Sequence, residues 1–423
     1  MFLRNEPMLV DAQTIADVVM TRCDELALDT EEEGVLTRRF LTPAMRAAHE
    51  RVRGWMNDAR LEARLDNAGN LVGRRAASTA TEKPRVLISG SHLDTVPHAG
   101  RYDGALGVLM SIALVERLGE AELPFHLDVA ALSEEEGVRF SLPYLGSRAL
   151  AGKFIPDWLR RRAEHGTTLQ EAIRWYGLDP QGMDDAAYDP DEVIGYFEPH
   201  LEQGPVLEKC GCPVAAVTGI AGQSRLRLAF HGEAAHAGTT PMSQRRDALC
   251  CAAEFISLVR KTGAETEGLR ATVGKIKTTP NTANVVPSRV DVTLDIRHID
   301  DPVRERAVAH LLESGKQIAE QGGCAFSVYD QHGETAVKTD TGMTEMLCGA
   351  IEHCGCSKHL APSGAGHDAV AMSASFPVVM LFLRHPGAVS HHPDERVERD
   401  DVATGIEVMH QFIMELAERE RGT

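Results

Sequence analysis

Apolar residues fill three short stretches of the chain almost without interruption. Residues 86–89, 127–132 and 378–383 are such runs, and each predicts a strand that is buried on both faces. Between the first two, apolar residues recur at helical spacing over residues 105–118, which predicts a buried helix. Strand, helix and strand in this order predict a right-handed crossover and a mostly parallel sheet. The predicted fold class is therefore α/β.

Polar and apolar residues alternate in the region that begins near residue 213. Such alternation is typical of antiparallel strands with one solvated face. Strand and helix patterns follow one another here in the order βαββαβ, at residues 225–230, 245–261, 270–276, 289–296, 302–321 and 325–329. This is the order of a ferredoxin-like α+β unit. We therefore predict a domain of residues 213–330 that is inserted into a larger domain of residues 1–212 and 331–423.

Helical periodicity marks much of the remaining chain. It predicts helices near residues 43–60, 344–353 and 401–420, and a charged, helical periphery over residues 149–196. No run approaches the 18 apolar residues of a membrane span, and residues 1–11 lack the apolar core of a signal peptide. We therefore expect neither export nor a membrane partner.

The composition narrows the class of partner. The chain has 423 residues, of which 43% are hydrophobic and 25% charged, as in a soluble globular protein of about two domains. The formal net charge of -18 argues against nucleic acid, whose binding begins with a basic surface. The nine cysteines are scattered and lack zinc-finger spacing, so we expect reduced thiols in a cytoplasmic protein.

Residues of the types that ligate metals follow the predicted buried strands. The first strand leads into GSHLDTVPHAGRYDG, which contains His92 and Asp103, and Asp94 is placed to orient the His92 imidazole. The second leads into SEEEG at residues 133–137, whose dense negative charge needs a cation nearby. Taken alone, each motif is also compatible with a solvated polar loop. Ligands of parallel sheets bind beyond the carboxyl ends of strands, so both motifs are expected at one site.

Two later motifs add imidazoles to this set. HLEQGPVLE contains His200, and GAVSHHPDE contains the adjacent His391 and His392 after the third buried strand. A single catalytic metal takes three protein ligands and one open position. Five ligands instead fit two divalent ions that share a bridging carboxylate. Imidazole and carboxylate donors suit Zn, Mn, Co or Ni, so the expected cofactor is a pair of such ions.

The assembled set assigns a role to each residue. The expected ligands are His92, Asp103, Glu136, His200 and His391. Asp103 is the natural bridge, which leaves His92 and His200 for one ion and Glu136 with His391 for the other. Glu135, one residue before a ligand, would act as a general base towards a water molecule.

The motifs together resemble those of the M20 metallopeptidase clan, and within it the hydantoinase/carbamoylase amidases. This branch includes N-carbamoyl-L-amino-acid hydrolases, β-ureidopropionases and allantoate amidohydrolases. The resemblance extends from about residue 15 to residue 412, and is carried by GSHLDTVPHAGRYDGALGVL, SEEEGVRF, GSRALAG, HLEQGPVLE, GEAAHAGTTPM, PNTANVVPSRVDVTLDIR, SGAGHDA and SHHPDE. It agrees with Glu135 as base and Glu136 as ligand, and it favours His391 over His392. It leaves the roles of His367 and Asp368 open.

The resemblance also implies roles that spacing cannot give. The residues that match substrate-binding positions of the family are Gln203, His236, Asn284, Arg297 and Gly366. An arginine fork suits a carboxylate, and a histidine donor suits an oxyanion. In the family, the histidine that matches His236 comes from the partner subunit. A homodimer through the inserted domain is therefore implied.

The implied activity is hydrolysis of the terminal carbamoyl C–N bond of an N-carbamoyl-L-amino acid, which releases ammonia, carbon dioxide and an amino acid. Allantoate is the alternative substrate: HAGTTPM is more like the carbamoylases, whereas EEEGVRF and GSRALAG are more like the allantoate enzymes. His98 and Ala388 depart from both groups. A dipeptidase or aminoacylase of the same clan, and a non-catalytic binding protein, are further alternatives. HLEQGPVLE argues against the peptidases, because His200 stands where they usually have an acidic ligand.

Overall fold

The computed structural model describes residues 11–78 and 83–422. Residues 1–10, on which the signal-peptide prediction depends, lie outside the described residues. The described chain divides into two units. The large unit contains the residues up to Thr218, then Thr339–Ala361 and those from Gly366 onward. The small unit contains Gly219–Lys338 and Pro362–Ala365.

Strands and helices alternate along much of the described chain. The strands are β1 (Glu62–Leu65), β2 (Leu71–Arg75), β3 (Val86–His92), β4 (His126–Leu132), β5 (Val193–Leu201), β6 (Val214–Ile220), β7 (Gly222–His231), β8 (Ala235–His236), β9 (Arg270–Thr272), β10 (Ile276–Thr279), β11 (Val285–Val286), β12 (Arg289–His298), β13 (Ala325–Glu334), β14 (Val337–Lys338), β15 (Leu360–Ser363) and β16 (Val378–Leu383). The α-helices are α1 (Ala12–Leu26), α2 (Pro43–Asp58), α3 (Ala105–Leu118), α4 (Leu145–Leu150), α5 (Leu169–Tyr176), α6 (Val206–Cys210), α7 (Ala248–Glu265), α8 (Asp301–Gln321), α9 (Thr341–His353), α10 (Asp368–Met372) and α11 (Arg399–Arg421).

The large unit is built on one sheet with the strand order β1-β2-β4-β3-β5-β16-β6. The central strands β4, β3, β5 and β16 are parallel to one another. The flanking pairs β1–β2, β2–β4 and β16–β6 are antiparallel. The prediction of an α/β fold with a mostly parallel sheet is therefore confirmed.

The crossover from β3 through α3 to β4 determines where the loops of this sheet lie. β3 is buried at every position and β4 at all but its first, and α3 packs against one face of both strands. α3 is itself buried on nearly all sides, as its apolar sequence predicts, and it occupies the predicted bounds. Its first turn therefore lies beside the carboxyl end of β3.

The central strand β5 is the main departure from the sequence prediction. We expected residues 149–196 to form a helical periphery, but Val193–Leu201 pairs with both β3 and β16 and is buried throughout. The apolar run is interrupted by Gly195, Glu198 and Pro199, residue types that are depleted in strands. Burial on both faces overrides those local preferences here.

The small unit has a sheet of its own, with the order β10-β12-β7-β13 and with β9 also paired to β12. Each neighbouring pair is antiparallel. Alternate residues of β7 and β12 are buried, and α7 and α8 pack on that face to form one hydrophobic core. The elements follow one another as β7, α7, β9 with β10, β12, α8 and β13.

The units divide a few residues later than the predicted domain limits. The first division lies after Thr218 instead of after residue 212, and the second lies after Lys338 instead of after residue 330. The reason at the first limit is β6, which pairs with β16 in the large sheet before the chain enters the small unit.

The cysteines differ from prediction at one pair. Cys210 and Cys212 are joined as a disulfide with their Cα atoms 5.4 Å apart, a separation within the range of such bonds. The remaining seven cysteines are free thiols, as expected. Among the described helices, none combines the length and the apolar character needed to cross a membrane.

Candidate metal centre and active site

The predicted metal ligands lie in the large unit, at or just beyond the carboxyl ends of strands. His92 is the last residue of β3, Asp103 precedes α3, Glu136 follows β4, His200 lies near the end of β5, and His391 follows β16. These strands are parallel, so their carboxyl ends meet at one edge of the sheet. Three of these side chains are buried, those of His92, Asp103 and His200, whereas the His391 side chain is 49% exposed.

Asp103 lies at the centre of the ligands. Its Oδ1 is 3.3 Å from His200 Nε2 and 4.0 Å from His92 Nε2. Its Oδ2 is 3.2 Å from His391 Nε2, and that nitrogen is 3.7 Å from Glu136 Oε1. The ligand atoms therefore form two triads that share Asp103, each with its atoms within 4.8 Å of one another. The triads are His92, Asp103 and His200, and Asp103, Glu136 and His391.

Backbone carbonyls fix the orientation of two imidazoles. His92 Nδ1 is 2.9 Å from the carbonyl oxygen of Asp94, and His200 Nδ1 is 2.9 Å from that of Leu201. A ring that donates a proton from Nδ1 keeps a lone pair on Nε2. In both residues Nε2 faces Asp103, so the lone pairs point to the centre of the cluster.

Asp94 supports the site in a different way from the one we expected. Its carboxylate was predicted to orient the His92 imidazole, but Oδ1 is 3.9 Å from Nδ1. The two carboxylate oxygens instead accept the backbone N–H groups of Glu135 at 3.0 Å and Glu136 at 3.1 Å. Asp94 therefore ties the loop after β3 to the loop after β4, and so sets the spacing between His92 and the two glutamates.

Glu135 is the candidate base. It is 7% exposed, and its Oε2 lies 4.0 Å from His92 Nε2. Burial, with the neighbouring charge of Glu136, raises the pKa of Glu135 well above its ordinary value. A carboxylate with a raised pKa accepts a proton from water more readily than an ordinary one does.

The pKa values of Glu136 and Asp103 are shifted in opposite directions. Burial and the charge of Asp103 raise the pKa of Glu136 to about 7. Burial also works to raise the pKa of Asp103, but the hydrogen bond from His391 and the charges of His200 and His92 outweigh it and hold that pKa below its usual range. Of these two carboxylates, Asp103 is therefore the one that stays ionised more readily.

The donor set fits a pair of divalent cations. Each triad offers imidazole nitrogen and carboxylate oxygen, the donors that Zn, Mn, Co and Ni accept. A carboxylate shared between two triads is the arrangement expected of a two-metal site. Burial is the main cause of the raised pKa values of Glu135 and Glu136, and neighbouring carboxylates add to it, so a cation held by the triads would favour the ionised form of both side chains.

Comparison with known proteins decides the family. The model of peptidase family M20/M25/M40 matches residues 88–415. The chain belongs to this family.

The relatives cover almost the whole M20 chain. A probable allantoate deiminase from Oryza sativa subsp. japonica is 36% identical over 436 residues, which cover 94% of this chain and 88% of that protein. An N-carbamoyl-L-amino acid amidohydrolase from Geobacillus stearothermophilus is 36% identical over 392 residues, covering 92% and 95%. The crystal structure of a hydantoinase/carbamoylase family amidase from Burkholderia multivorans matches with a TM-score of 0.88 and 30% identity, covering 97% and 99%. The predicted class, a metal-dependent amidohydrolase of the M20 family, is confirmed.

Two predicted substrate residues of this M20 enzyme also lie in the large unit. The amide nitrogen of Gln203 donates to both oxygens of Asp103 at 3.1 Å and to Ser390 Oγ at 2.9 Å. Gly366 lies close to Tyr144: a Cβ at this position would be 1.9 Å from the tyrosine hydroxyl. The Gln203 amide is therefore part of the cluster, and a larger residue at position 366 would have to displace the Tyr144 hydroxyl.

The other predicted substrate residues lie in the small unit. β8 pairs with β11, which sets His236 opposite Val285, and Ala237 N–H donates to the carbonyl of Asn284 at 2.9 Å. His236 and Asn284 are thus brought together, and both are exposed. Arg297 on β12 donates to Asp295 Oδ1 at 2.9 Å and to the carbonyl of Gly364 at 2.8 Å.

The structure places three residues whose roles the sequence left open. The buried ring of His367 packs edge-on against His200, with centroids 4.4 Å apart. Asp368 accepts a hydrogen bond from Ser147 Oγ at 2.6 Å, so it connects α10 with α4. His392 is exposed and accepts the N–H of Asp394 at 3.2 Å, outside both triads.

Sequence reasoning missed Glu395, which fixes the backbone at Asp103 through hydrogen bonds. Glu395 is buried, and its Oε2 accepts the backbone N–H groups of Tyr102 at 2.8 Å and of Asp103 at 3.0 Å. The only sequence signal is its place in SHHPDE, four residues after His391.

Arg38 was also missed. This buried arginine donates from Nε to the carbonyl of Leu93 at 2.8 Å, and its backbone N–H donates to Thr95 Oγ1 at 2.9 Å. It therefore supports the loop that follows His92. No local pattern around Arg38 could have shown this, because the contact joins residues more than 50 positions apart.

Proposed function

We propose that the protein is a di-metal ureido-acid amidohydrolase that cleaves the terminal carbamoyl C–N bond of an N-carbamoyl-L-amino acid. The observation that carries the proposal is the pair of ligand triads that share Asp103. His92 and His200 would complete one cation site, and Glu136 with His391 the other. Bound there, two divalent ions would supply Lewis acidity towards the ureido oxygen and lower the pKa of the attacking water.

The chain's own residues would handle the protons. Glu135 is buried beside both triads, so it would accept the proton of the attacking water and pass it to the leaving nitrogen. The Asp94 carboxylate keeps Glu135 in place through the backbone N–H of that residue. Gln203, whose amide lies against Asp103, would orient the ureido group.

The small unit would supply the remaining recognition. Its antiparallel sheet and two helices have the βαββαβ order of a ferredoxin-like unit, and we propose that it is both the lid and the dimerisation surface. Arg297 would pair with the substrate carboxylate through its planar fork. His236, which is exposed beside Asn284, would donate to the oxyanion of the partner subunit's substrate.

Allantoate is the second candidate substrate, because relatives of equal identity carry both names. The probable allantoate deiminase and the N-carbamoyl-L-amino acid amidohydrolase are each 36% identical to this chain. Both candidate substrates contain a urea and a carboxylate, so the same cluster serves either. A cytoplasmic location stays a prediction from the cysteine content.

Release of ammonia tests the proposal directly. The protein would be treated with a chelator, reloaded with Mn²⁺ or Zn²⁺, and assayed on N-carbamoyl-L-amino acids, N-carbamoyl-β-alanine and allantoate. We expect activity that is lost with the metal and restored by it, with a preference for an N-carbamoyl-L-amino acid. A preference for allantoate would select the second candidate, and activity on dipeptides or N-acyl amino acids alone would refute both.

A pair of neighbouring histidines provides the matched control. His391→Asn removes a ligand, whereas His392→Asn changes an exposed residue outside both triads. We expect His391→Asn to lower metal affinity at least about tenfold, because substitution of a residue that merely hydrogen-bonds to a metal ligand already costs that much. We expect His392→Asn to keep wild-type affinity. Equal effects of the two substitutions would contradict the ligand assignment.

A further inference from the structure

Three potential metal ligands lie together in the large unit but outside the two triads. They are the sulfurs of Cys210 and Cys212, which form a disulfide in this structure, and a ring nitrogen of His359, and all lie within 4.8 Å of one another. None of the three residues belongs to the metal centre described above. The cluster also differs from that centre in chemistry, because two of its three donors are sulfur.

The local backbone brings the two cysteines together. Cys210 is the last residue of α6, and Gly211 ends that helix in the left-handed region with a φ of 67°. The N–H of Cys212 then donates to the carbonyl of Leu207 at 3.0 Å, which turns the second cysteine back towards the helix. At the other end of α6, Glu202 accepts two backbone N–H groups at 2.8 and 2.9 Å. The position of the cysteine pair is therefore defined by the short helix and its two ends.

His359 comes from a distant part of the sequence and is held by the sheet. Its carbonyl accepts the N–H of Ala216 on β6 at 3.0 Å, so it lies beside the strand that Cys212 leads into. Its side chain is half-buried. Within the part of the chain that the structure describes, no hydrogen bond or ion pair engages its ring, which leaves a nitrogen available to a ligand.

We propose that Cys210, Cys212 and His359 form a separate site for a thiophilic cation, Zn²⁺ in the first place, when the cysteine pair is reduced. Two thiolates and one imidazole are donors that zinc accepts, and a water molecule would complete a tetrahedral shell. The two thiols lose their protons to solvent as the cation binds, so binding is tighter at higher pH. When a small-molecule disulfide in solution oxidises the pair, it takes up two electrons and both thiol protons as it becomes two thiols, and neither cysteine sulfur remains a thiolate ligand; the oxidised protein therefore does not bind a cation here.

The chain contains a natural control for this proposal. Cys354, Gly355 and Cys356 repeat the same Cys-Gly-Cys sequence, again with a glycine in the left-handed region. Neither of these cysteines belongs to a group of three or more potential ligands among the described residues. If sequence alone made the site, both pairs would bind a cation. If the imidazole is needed, only the first pair would.

Thiolate-to-metal absorption distinguishes this site from the active-site cluster. The full-length protein would be reduced with a phosphine, desalted without oxygen, and titrated with Co²⁺, whose thiolate complexes absorb in the near ultraviolet. The active-site donors are nitrogen and oxygen and give no such band. We expect one thiolate-bound Co²⁺ per chain, displaced by Zn²⁺, in the reduced protein and none in the oxidised protein.

Three variants locate the band. We expect Cys210→Ser with Cys212→Ser to abolish it, His359→Ala to weaken Co²⁺ binding by at least about tenfold, and Cys354→Ser with Cys356→Ser to leave it unchanged. Absence of the band in the reduced wild type, or its loss only in the Cys354/Cys356 variant, would overturn the proposal. Wild-type Co²⁺ affinity in a folded His359→Ala protein would also overturn it. The comparison of reduced with oxidised wild type needs no substitution, so a variant that fails to fold does not remove the test.

Discussion

At the scale of single residues, Asp103 explains why the ligands form two groups. Its Oδ1 faces His200 and its Oδ2 faces His391, so one carboxylate defines both triads. Burial would favour its neutral form, and the three surrounding imidazoles reverse that preference. Glu135, with no such set of partners, has its pKa raised by the same burial. The neighbours of these two carboxylates thus shift their pKa values in opposite directions, down for Asp103 and up for Glu135.

Substitution of Glu135 tests the proton role. Glu135→Gln keeps the size of the side chain and removes its ability to accept a proton. We expect kcat for ammonia release to fall by about 10²- to 10⁴-fold with the metal content unchanged, because general base catalysis contributes that much. Metal analysis and steady-state kinetics on one preparation measure both quantities. A fall of less than about tenfold in a fully loaded protein would show that Glu135 is not the base.

His49 provides a pH test that is independent of the metal centre. It is buried in α2 with Nδ1 2.9 Å from the Tyr176 hydroxyl, and burial, with the charge of Arg53, lowers its pKa to about 3. A histidine that is neutral in the folded state stabilises it fully above the unfolded pKa of about 6.5, and this contribution is lost as the pH falls towards 3. We expect the group to contribute roughly 2 kcal/mol less to the free energy of unfolding at pH 5 than at pH 7.

Urea unfolding at the two pH values measures that difference. His49→Asn keeps a hydrogen-bonding group near the tyrosine but does not titrate. The variant should therefore lose less stability between pH 7 and pH 5 than the wild type, by roughly the same 2 kcal/mol. Parallel pH profiles for the two proteins would mean that His49 is not held neutral by the fold.

The sequence predicted which candidate ligands lie together better than it predicted their surroundings. Position after a predicted buried strand pointed to His92 and Asp103, and the motif HLEQGPVLE pointed to His200; the structure brings the three together, because the ends of parallel strands meet. The predicted partner of the His92 ring, the Asp94 carboxylate, was wrong. The ring instead contacts the backbone carbonyl of Asp94, whose direction depends on the folded loop. Glu395 and Arg38 were missed for a similar reason: each acts on a loop that is remote in sequence.

At the scale of elements, the loop between β3 and α3 is constrained at Gly104. Gly104 has a φ of 65°, and a Cβ there would lie 2.4 Å from the His92 ring. The glycine therefore permits both the turn and the close approach of the ring to the start of α3. Gly34 also has a positive φ, of 83°, but a Cβ there would meet no atom within 4 Å.

These two glycines separate backbone strain from displacement of a ligand. Gly34→Ala should cost about 1–2 kcal/mol of stability, the usual penalty of the left-handed region, and leave metal affinity unchanged. Gly104→Ala adds the collision with His92, so we expect a loss of at least about tenfold in metal affinity as well. Thermal unfolding and chelator competition measure the two effects. Unchanged metal affinity in Gly104→Ala would show that the loop can move the ring at no cost to the site.

Helices and strands were predictable where the hydrophobic pattern of the sequence matched the burial of the element in the fold. α3 has the predicted bounds because a helix covered on nearly all sides must be apolar along its whole length. β5 was missed because the strand contains Glu198, whose carboxylate is satisfied by Ser91 Oγ at 3.2 Å and by the N–H of Ala369 at 2.8 Å. A buried acid with remote partners leaves no signal in the local sequence.

At the scale of the whole molecule, the proposed exchange of His236 between subunits can be tested by mixing two inactive proteins. Glu135→Gln and His236→Ala are each expected to lose at least about 10²-fold in kcat. In a mixed dimer, one active site would combine an intact Glu135 with an intact His236 of the partner. Random pairing should therefore restore about a quarter of the wild-type rate, as half the dimers are mixed and each has one intact site.

Co-expression of the two variants and assay of the purified mixture provides the measurement. A rate no higher than that of the separate variants would show that His236 acts within its own chain or not in catalysis. Light scattering on the wild type, at several concentrations, shows independently whether the protein is a dimer.

The position of the small unit in the chain affects the order in which the large sheet is made. β5 pairs with β16 on one side, yet β16 begins roughly 180 residues later, after the whole small unit. At about 5–20 residues per second, a ribosome needs roughly 10 to 35 seconds to synthesise that interval. During this time the apolar β5 presents an unpaired edge, the kind of surface on which nascent chains aggregate. We therefore expect the nascent chain to depend on chaperones most strongly between the synthesis of β5 and that of β16.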